Sequence, residues 1–385
     1  MIRVGLISHL SEVSGAGIAL LRIGRALDPE RFWTVVVLPG RGPLYELAQK
    51  QKVRCEVIEN PEEGMADASL RKRIQLGVQR LRYIKALMRF FRSADIDIVY
   101  VNTTITVFAG IAARLAGKPI VWHVRELLES PTLGTRMKMW LIEHLSDAIF
   151  YASHAGMKCF PAPRVPHRLV VRNIVDVEKF LHAKASDSVV KELGIAPHEI
   201  VITSNGVFPR KAPDIFLRAA AEVVSKTDKA VRFLLVGPPL PEHLEYYEEM
   251  KKLASTLGIE KQVTFTGLRM DMPEILACTD IFVSPSRNEA QPNIINEALV
   301  SGTPVIASDV GDCRLMLRNG AFGELVPPDN PSALAQAILD TLENMEEARA
   351  KARMAQRALV EEFSSPEFWK PVEDTLETLA RKRKH

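Results

Sequence analysis

The sequence has no apolar run of about 18 residues, so nothing in it reads as a transmembrane helix. It shows no signal-peptide pattern either. The first residues, IRVGLIS, enter a strand pattern directly. Cysteine is scarce: Cys55, Cys159, Cys278 and Cys313 stand far apart without metal-ligand spacing, which suits a reducing cytoplasm. No Asp-x-Asp follows a strand, so one common carboxylate motif for holding a divalent metal is missing. No aromatic or motif context for base recognition accompanies the basic residues, which argues against a nucleic-acid partner.

What is present is ordinary in amount and uneven in placement. A chain of 385 residues, at roughly 150 residues per domain, implies two or three domains. Residues 1–180 hold 26 Lys and Arg against 17 Asp and Glu, whereas residues 181–385 hold 24 against 30. Such an asymmetry points to an anionic partner for the first half.

Short apolar runs rich in branched residues read as buried parallel strands. In the first half they are Val4–Ser8, Val35–Leu38, Arg54–Ile58, Ile98–Val101, Ile120–His123, Ala148–Tyr151 and Leu169–Val171. In the second they are Ile200–Ser204, Arg232–Val236, Val263–Thr266, Ile281–Ser284, Pro304–Ala307 and Gly323–Val326. Helical patterns lie between them, notably Gly17–Leu27 and Leu70–Arg92. This alternation predicts α/β domains with doubly wound parallel sheets, whose ligands bind beyond the carboxyl ends of the strands.

The stretch richest in chemistry is IFVSPSRNEAQPNIINEALVSG, residues 281–302. A strand stops at Pro285 and a polar loop follows. Pro292 suits the first turn of a helix over Asn293–Val300, which Gly302 can end. The unbonded N–H groups at such a helix start make an anion site. Glu289 lies before it and Glu297 inside it, so two carboxylates flank a phosphate pocket. Two exposed acids on an ordinary strand–helix unit would give the same spacing.

Leu70–Arg92 carries Arg71, Lys72, Arg73, Arg80, Arg82, Lys85, Arg89 and Arg92 and no acid. Ile74, Val78, Leu81, Ile84, Met88 and Phe91 give it one apolar face. Two readings stay open: a core-packed helix with a solvated basic face, or a platform for anionic lipid headgroups built on Arg80, Arg82, Lys85 and Arg89. Lys382, Arg383 and Lys384 add basic charge at the end of the chain.

The pattern ExxPNxxxEAxxxGxPVIASDVG resembles the retaining nucleotide-sugar glycosyltransferases of family 4 (glycosyl transferase group 1). The residues that carry it are Glu289, Pro292, Asn293, Glu297, Ala298, Gly302, Pro304, Val305, Ile306 and Gly311. The resemblance implies a GT-B fold, two Rossmann-like domains facing across a cleft. It places an acceptor-binding domain at 1–176, with a C-terminal helix over 365–385 packing back on it, and a donor-binding domain at 177–364. Around 177–198 it suggests a linker, entered through VVRNIVDVEKF. Asp312-Cys313-Arg314 departs from the family's pattern after Gly311.

For the site, the resemblance implies that Arg210 and Lys211 meet the donor diphosphate together with Pro292, Asn293, Ile294 and Ile295. Glu297 would take the ribose hydroxyls and Glu289 the sugar hydroxyls. His123 would lie beside the donor sugar, and the loop of Gly15, Ala16 and Gly17 near the diphosphate. Gly206, Leu268 and Arg269 would approach the nucleotide, and Asn102, Arg125 and Glu126 the acceptor. The expected partners are a nucleoside diphosphate sugar and a lipid-linked or glycan acceptor, without metal or other cofactor. The expected location is the cytoplasm, peripheral to the inner face of a membrane. Two alternatives remain: another GT-B enzyme such as a nucleotide-sugar epimerase, or a non-catalytic nucleotide- or lipid-binding module.

Overall fold

A computed structural model describes residues 1–60, 70–128, 132–160 and 164–382, with side chains left undescribed at 70–75 and 382. The chain divides into two compact units: Met1–Ile174 with Pro366–His385, and Val175–Ser365.

The first unit holds seven parallel strands: β1 (Ile2–Ile7), β2 (Phe32–Leu38), β3 (Cys55–Val57), β4 (Ile98–Asn102), β5 (Ile120–Val124), β6 (Ala148–Tyr151) and β7 (His167–Val170). Their order is β3-β2-β1-β4-β5-β6-β7. Every backbone group of a strand buried on both faces must be paired in the sheet, and continuous apolar runs such as Ile98–Val101 cover both faces at once. Helices 70–93, 107–115 and 133–145 cover one face around Tyr83, Leu87, Phe91, Ala112, Trp122 and Ile142. On the other face the helix Gly15–Ala26 packs with Trp369, Val372, Leu376 and Leu379 from the end of the chain. Arg31 fastens that last helix at Glu373 (2.5 Å) and Glu377 (2.7 Å).

The second unit holds β8 (Ile200–Asn205), β9 (Val231–Val236), β10 (Val263–Gly267), β11 (Ile281–Ser284), β12 (Val305–Ser308) and β13 (Glu324–Val326). All pair in parallel, in the order β10-β9-β8-β11-β12-β13. Both sheets are therefore doubly wound, as the alternation of strands and helices predicts. No helix among the described residues is long and apolar enough to cross a membrane.

Three differences from the sequence reading have physical causes. Residues 177–198 do not behave as a linker. Val177–Leu181 and Asp187–Glu192 are helical, and Phe180, Val189 and Leu193 are buried in the second unit. Pro292 sits at the N-cap with extended backbone (φ −71°, ψ 118°), one position before the first helical residue, Asn293. In the basic helix, Tyr83, Ile84, Leu87 and Phe91 face the sheet, while Val78 and Leu81 are exposed. At about 100° per residue, Leu81 and Val78 are turned roughly 60° and 120° from Ile84, off the sheet-facing arc. The side chains of Arg71, Lys72, Arg73, Ile74 and Lys382, and Arg383 and Lys384 entirely, lie outside the described residues.

Candidate functional site

In the second unit the turn after β8 and the loop after β11 converge. Gly206 leaves β8 at φ +84°, and a Cβ there would lie 2.6 Å from Lys211 Cγ. Only glycine both adopts that backbone comfortably and leaves room for the lysine stem. Pro209–Lys211 forms one 3-10 turn, and buried Ala212, left-handed at φ +53°, redirects the chain into the helix Pro213–Lys226.

This turn delivers Arg210 and Lys211 to one carboxylate. Glu289 Oε1 lies 2.7 Å from Lys211 Nζ, and Oε2 lies 2.9 Å from Arg210. Ser286 Oγ donates to Glu289 Oε1 at 3.3 Å. Glu289 and Lys211 are nearly buried, whereas Arg210 is half-exposed over the Phe208 ring and donates to the Asn288 carbonyl at 3.1 Å. Burial pushes the Glu289 carboxyl up, but Lys211 and then Arg210 outweigh it, so its pKa lies below the ordinary value. Two cations against one carboxylate leave one positive charge in excess at the strand ends, where parallel sheets bind ligands.

Gly311 fixes the Glu289 loop from below. At φ +54° its Cβ would fall 1.7 Å from the Glu289 carbonyl oxygen, and Asp312 N–H donates to the Ala290 carbonyl at 3.1 Å. After the loop, no side chain caps the helix Asn293–Val300. Ile294 and Ile295 are buried in the core, so it is their backbone that a ligand at the helix start would meet. Glu297 is buried within the same helix.

The sequence reading missed the residue that holds these parts in place. Arg287 donates to the Pro209 carbonyl at 2.8 Å, to both oxygens of Asp214 at 2.9 and 2.7 Å, and to Asp329 at 2.6 Å. It ties the Glu289 loop to the Arg210–Lys211 turn. Tyr246 O–H adds a bond to Asp214 at 3.0 Å. Burial pushes the Asp214 carboxyl up, but Arg287 and Tyr246 carry it below its ordinary pKa. Nothing local in the sequence marks Arg287, because its acidic partners lie far away along the chain. Leu268 is exposed at the β10 turn, whereas the Arg269 guanidinium is committed to Asp271 (2.6 Å) and Glu192. Arg314, in the departing segment, pairs with Asp309.

In the first unit a buried polar network lies at the ends of β4 and β5. Arg125 donates to Asn102 Oδ1 and Asn173 Oδ1, each at 2.5 Å, and to His123 Nδ1 at 3.3 Å. Tyr100 O–H lies 2.5 Å from the same Nδ1. Arginine can only donate, so Nδ1 is an acceptor and the ring proton sits on Nε2. Burial first and Arg125 second hold the His123 pKa well below its ordinary value, which the Val171 backbone only partly offsets. No well-formed hydrogen bond engages Nε2 within the described residues. A neutral ring in this tautomer can donate from Nε2 but cannot take up a proton there. Glu126 accepts from Thr104 N–H at 3.1 Å, and burial raises its pKa. Asn102 Nδ2 donates to the Ala16 carbonyl at 3.2 Å, bringing the Gly15–Gly17 loop to this edge. Gly17 lacks a side chain for a packing reason: a Cβ there would lie 2.9 Å from Leu44.

These two units define a GT-B protein. The fold superposes on Anabaena HepE in complex with UDP and glucose with a TM-score of 0.84 at 23% identity, over 98% of this chain and 100% of that one. The HepE complex with UDP-glucose gives 0.82, also at 23%, over 99% and 100%. Residues 197–344, within the second unit, match the family model of the glycosyl transferases group 1. A D-inositol 3-phosphate glycosyltransferase of Rhodococcus erythropolis is 44% identical over 146 residues, 36% of this chain and 33% of the relative. The match thus spans about a third of the curated relative's length.

Proposed function

We propose that the protein transfers a sugar from a nucleoside diphosphate sugar to an acceptor, with retention of anomeric configuration. The observation that carries this is the Arg210–Glu289–Lys211 cluster beside the uncapped helix at Asn293. The diphosphate rests on the helix start and on the two cations, and Glu297 takes ribose hydroxyls. Glu289 shares its carboxylate between Lys211, Arg210 and the hydroxyls of the transferring sugar.

Breaking the bond between the anomeric carbon and the phosphate oxygen leaves its electron pair on the diphosphate. Arg210, Lys211 and the helix N–H groups meet that charge without a metal ion. The acceptor hydroxyl attacks from the face that the diphosphate leaves, and its proton passes to the departing phosphate oxygen. In the first unit, neutral His123 offers its Nε2 proton to a sugar hydroxyl, and Asn102, Arg125 and Glu126 order the acceptor.

The complexes of HepE with UDP and UDP-glucose support a uridine diphosphate sugar as donor. The acceptor is a lipid-linked sugar or glycan at an anionic membrane surface, where the basic helix holds the enzyme peripherally. The curated relatives favour a second reading, a small phosphorylated polyol such as an inositol phosphate. The test is product analysis with UDP-glucose and each acceptor class, in EDTA, with the new linkage assigned by NMR. Turnover in EDTA giving an α-linked product from an α-linked donor is expected. Activity that requires added magnesium or manganese would refute metal independence, and an inverted product would refute retention.

A further inference from the structure

The helix Leu133–Leu145 buries Ile142 against the sheet but turns Leu133, Met137 and Trp140 outward. These positions follow at spacings of four and three, so they form one stripe along the helix. Across the middle helix of the same three-helix face, Val78 and Leu81 on the basic helix are also exposed, and Ile105 is exposed between β4 and the middle helix. Exposure of these six runs from 46% at Val78 to 85% at Leu133. Large apolar side chains grouped on one face call for a partner in a way that single exposed ones do not.

The charge on the face identifies that partner. Arg82, Lys85, Arg89 and Arg92 are exposed on the basic helix, Arg114 on the middle one and Arg136 on the third. Among described side chains of the three helices, Glu143 is the one acid. Arg80 contributes less, since its guanidinium stacks 5.1 Å over the Phe108 ring and it is only half-exposed. Apolar residues flanked by cations, with a tryptophan among them, match the boundary layer of an anionic bilayer. In parallel strand–helix units each helix begins at the carboxyl edge of the sheet, so the stripe starts at Leu133 on the edge that carries His123 and Arg125.

We propose that this face docks on anionic lipid, with Leu133, Met137 and Trp140 entering the interface and Arg82, Lys85, Arg89 and Arg136 meeting headgroups. The inference deepens the proposed peripheral location: the basic helix supplies the attraction and the neighbouring helix the insertion.

The test uses the full chain with phosphatidylcholine vesicles, with and without phosphatidylglycerol. Each cation near the surface contributes about fivefold to partitioning, and salt weakens the attraction. Wild type is expected to co-sediment with the anionic vesicles, and its tryptophan fluorescence to be quenched by lipids brominated near the headgroup. The variant L133S/M137S/W140S should lose binding at least tenfold, and W140F should lose most of the quenching. R82S/K85S/R89S should abolish the preference for phosphatidylglycerol. UDP affinity, measured alongside, should be unchanged in every variant, so failure of the docking face and failure of the transferase reading are told apart. Absence of vesicle binding by wild type, binding without quenching at Trp140, or a dimer in sedimentation equilibrium that L133S/M137S/W140S disrupts would each overturn the proposal.

Discussion

Replacing Lys211 by methionine keeps the length of the side chain and removes its charge. Glu289 then keeps the Ser286 hydroxyl and one cation, Arg210 at 2.9 Å, a guanidinium half open to solvent. Breaking a buried ion pair costs about 3–5 kcal/mol. The remaining half-exposed pair recovers no more than ~1 kcal/mol of it. A loss of about 3 kcal/mol follows, which in a unit of this size lowers Tm by about 10 °C. The pH dependence has a fixed sign. In the wild type the Glu289 carboxyl titrates below its ordinary value, because Lys211 and Arg210 outweigh burial. That stabilisation is present above the ordinary carboxylate range and disappears as pH falls through the folded value. Without Lys211 the folded value rises, so the deficit is full at neutral pH and shrinks as acid neutralises the carboxyl. Thermal melts of both proteins between pH 7.5 and pH 4.5 check this. A Tm gap that stays constant across that range, or widens toward acid, would refute the buried-pair reasoning.

The two carboxylates should separate by role. Glu297→Ala should weaken UDP binding by about tenfold or more through loss of a charged hydrogen bond, while Glu289→Ala should lower turnover with UDP affinity nearly retained. Calorimetric titration and initial rates measure the split, and unchanged UDP affinity in the Glu297 variant would remove its role. Gly311→Ala places a Cβ within 1.7 Å of the Glu289 carbonyl oxygen, so the loop must shift. A stability loss of at least ~2 kcal/mol, read by urea denaturation, should come with lost UDP binding.

The strands were legible because each is a short apolar run with polar or proline bounds. Ala148–Tyr151 and Ile281–Ser284 agree end to end between sequence and structure. The strand ending at Leu38 begins three residues before the run read at Val35, since Phe32–Thr34 pair with β1 despite a mixed pattern. The helix Met345–Ser364 went unread. It buries only Ala352, Ala355 and Leu359, too few apolar positions to mark a face. Residues 177–198 look polar, yet isolated Phe180, Val189 and Leu193 anchor them. Arg210, Lys211 and Glu289 each stand out in the sequence, but their meeting depends on Gly206, Arg287 and Gly311. Gly206 acts locally, by leaving room for the Lys211 stem, whereas Arg287 and Gly311 act through approaches between segments far apart along the chain, which local patterns do not carry. Tyr100 went unread in the same way, as one aromatic in a buried strand, although its hydroxyl lies 2.5 Å from His123 Nδ1.

The central claim is that Arg210, Lys211 and the helix start at Asn293 form a diphosphate site. Comparing UDP with UMP by calorimetric titration, in wild type and in the double variant R210A/K211A, tests it most directly. The second phosphate should tighten wild-type binding by about tenfold or more, as charged hydrogen bonds of this kind do, and that advantage should vanish in the double variant. Equal affinities for UDP and UMP in the wild type, or an undiminished preference for UDP in the double variant, would contradict the account.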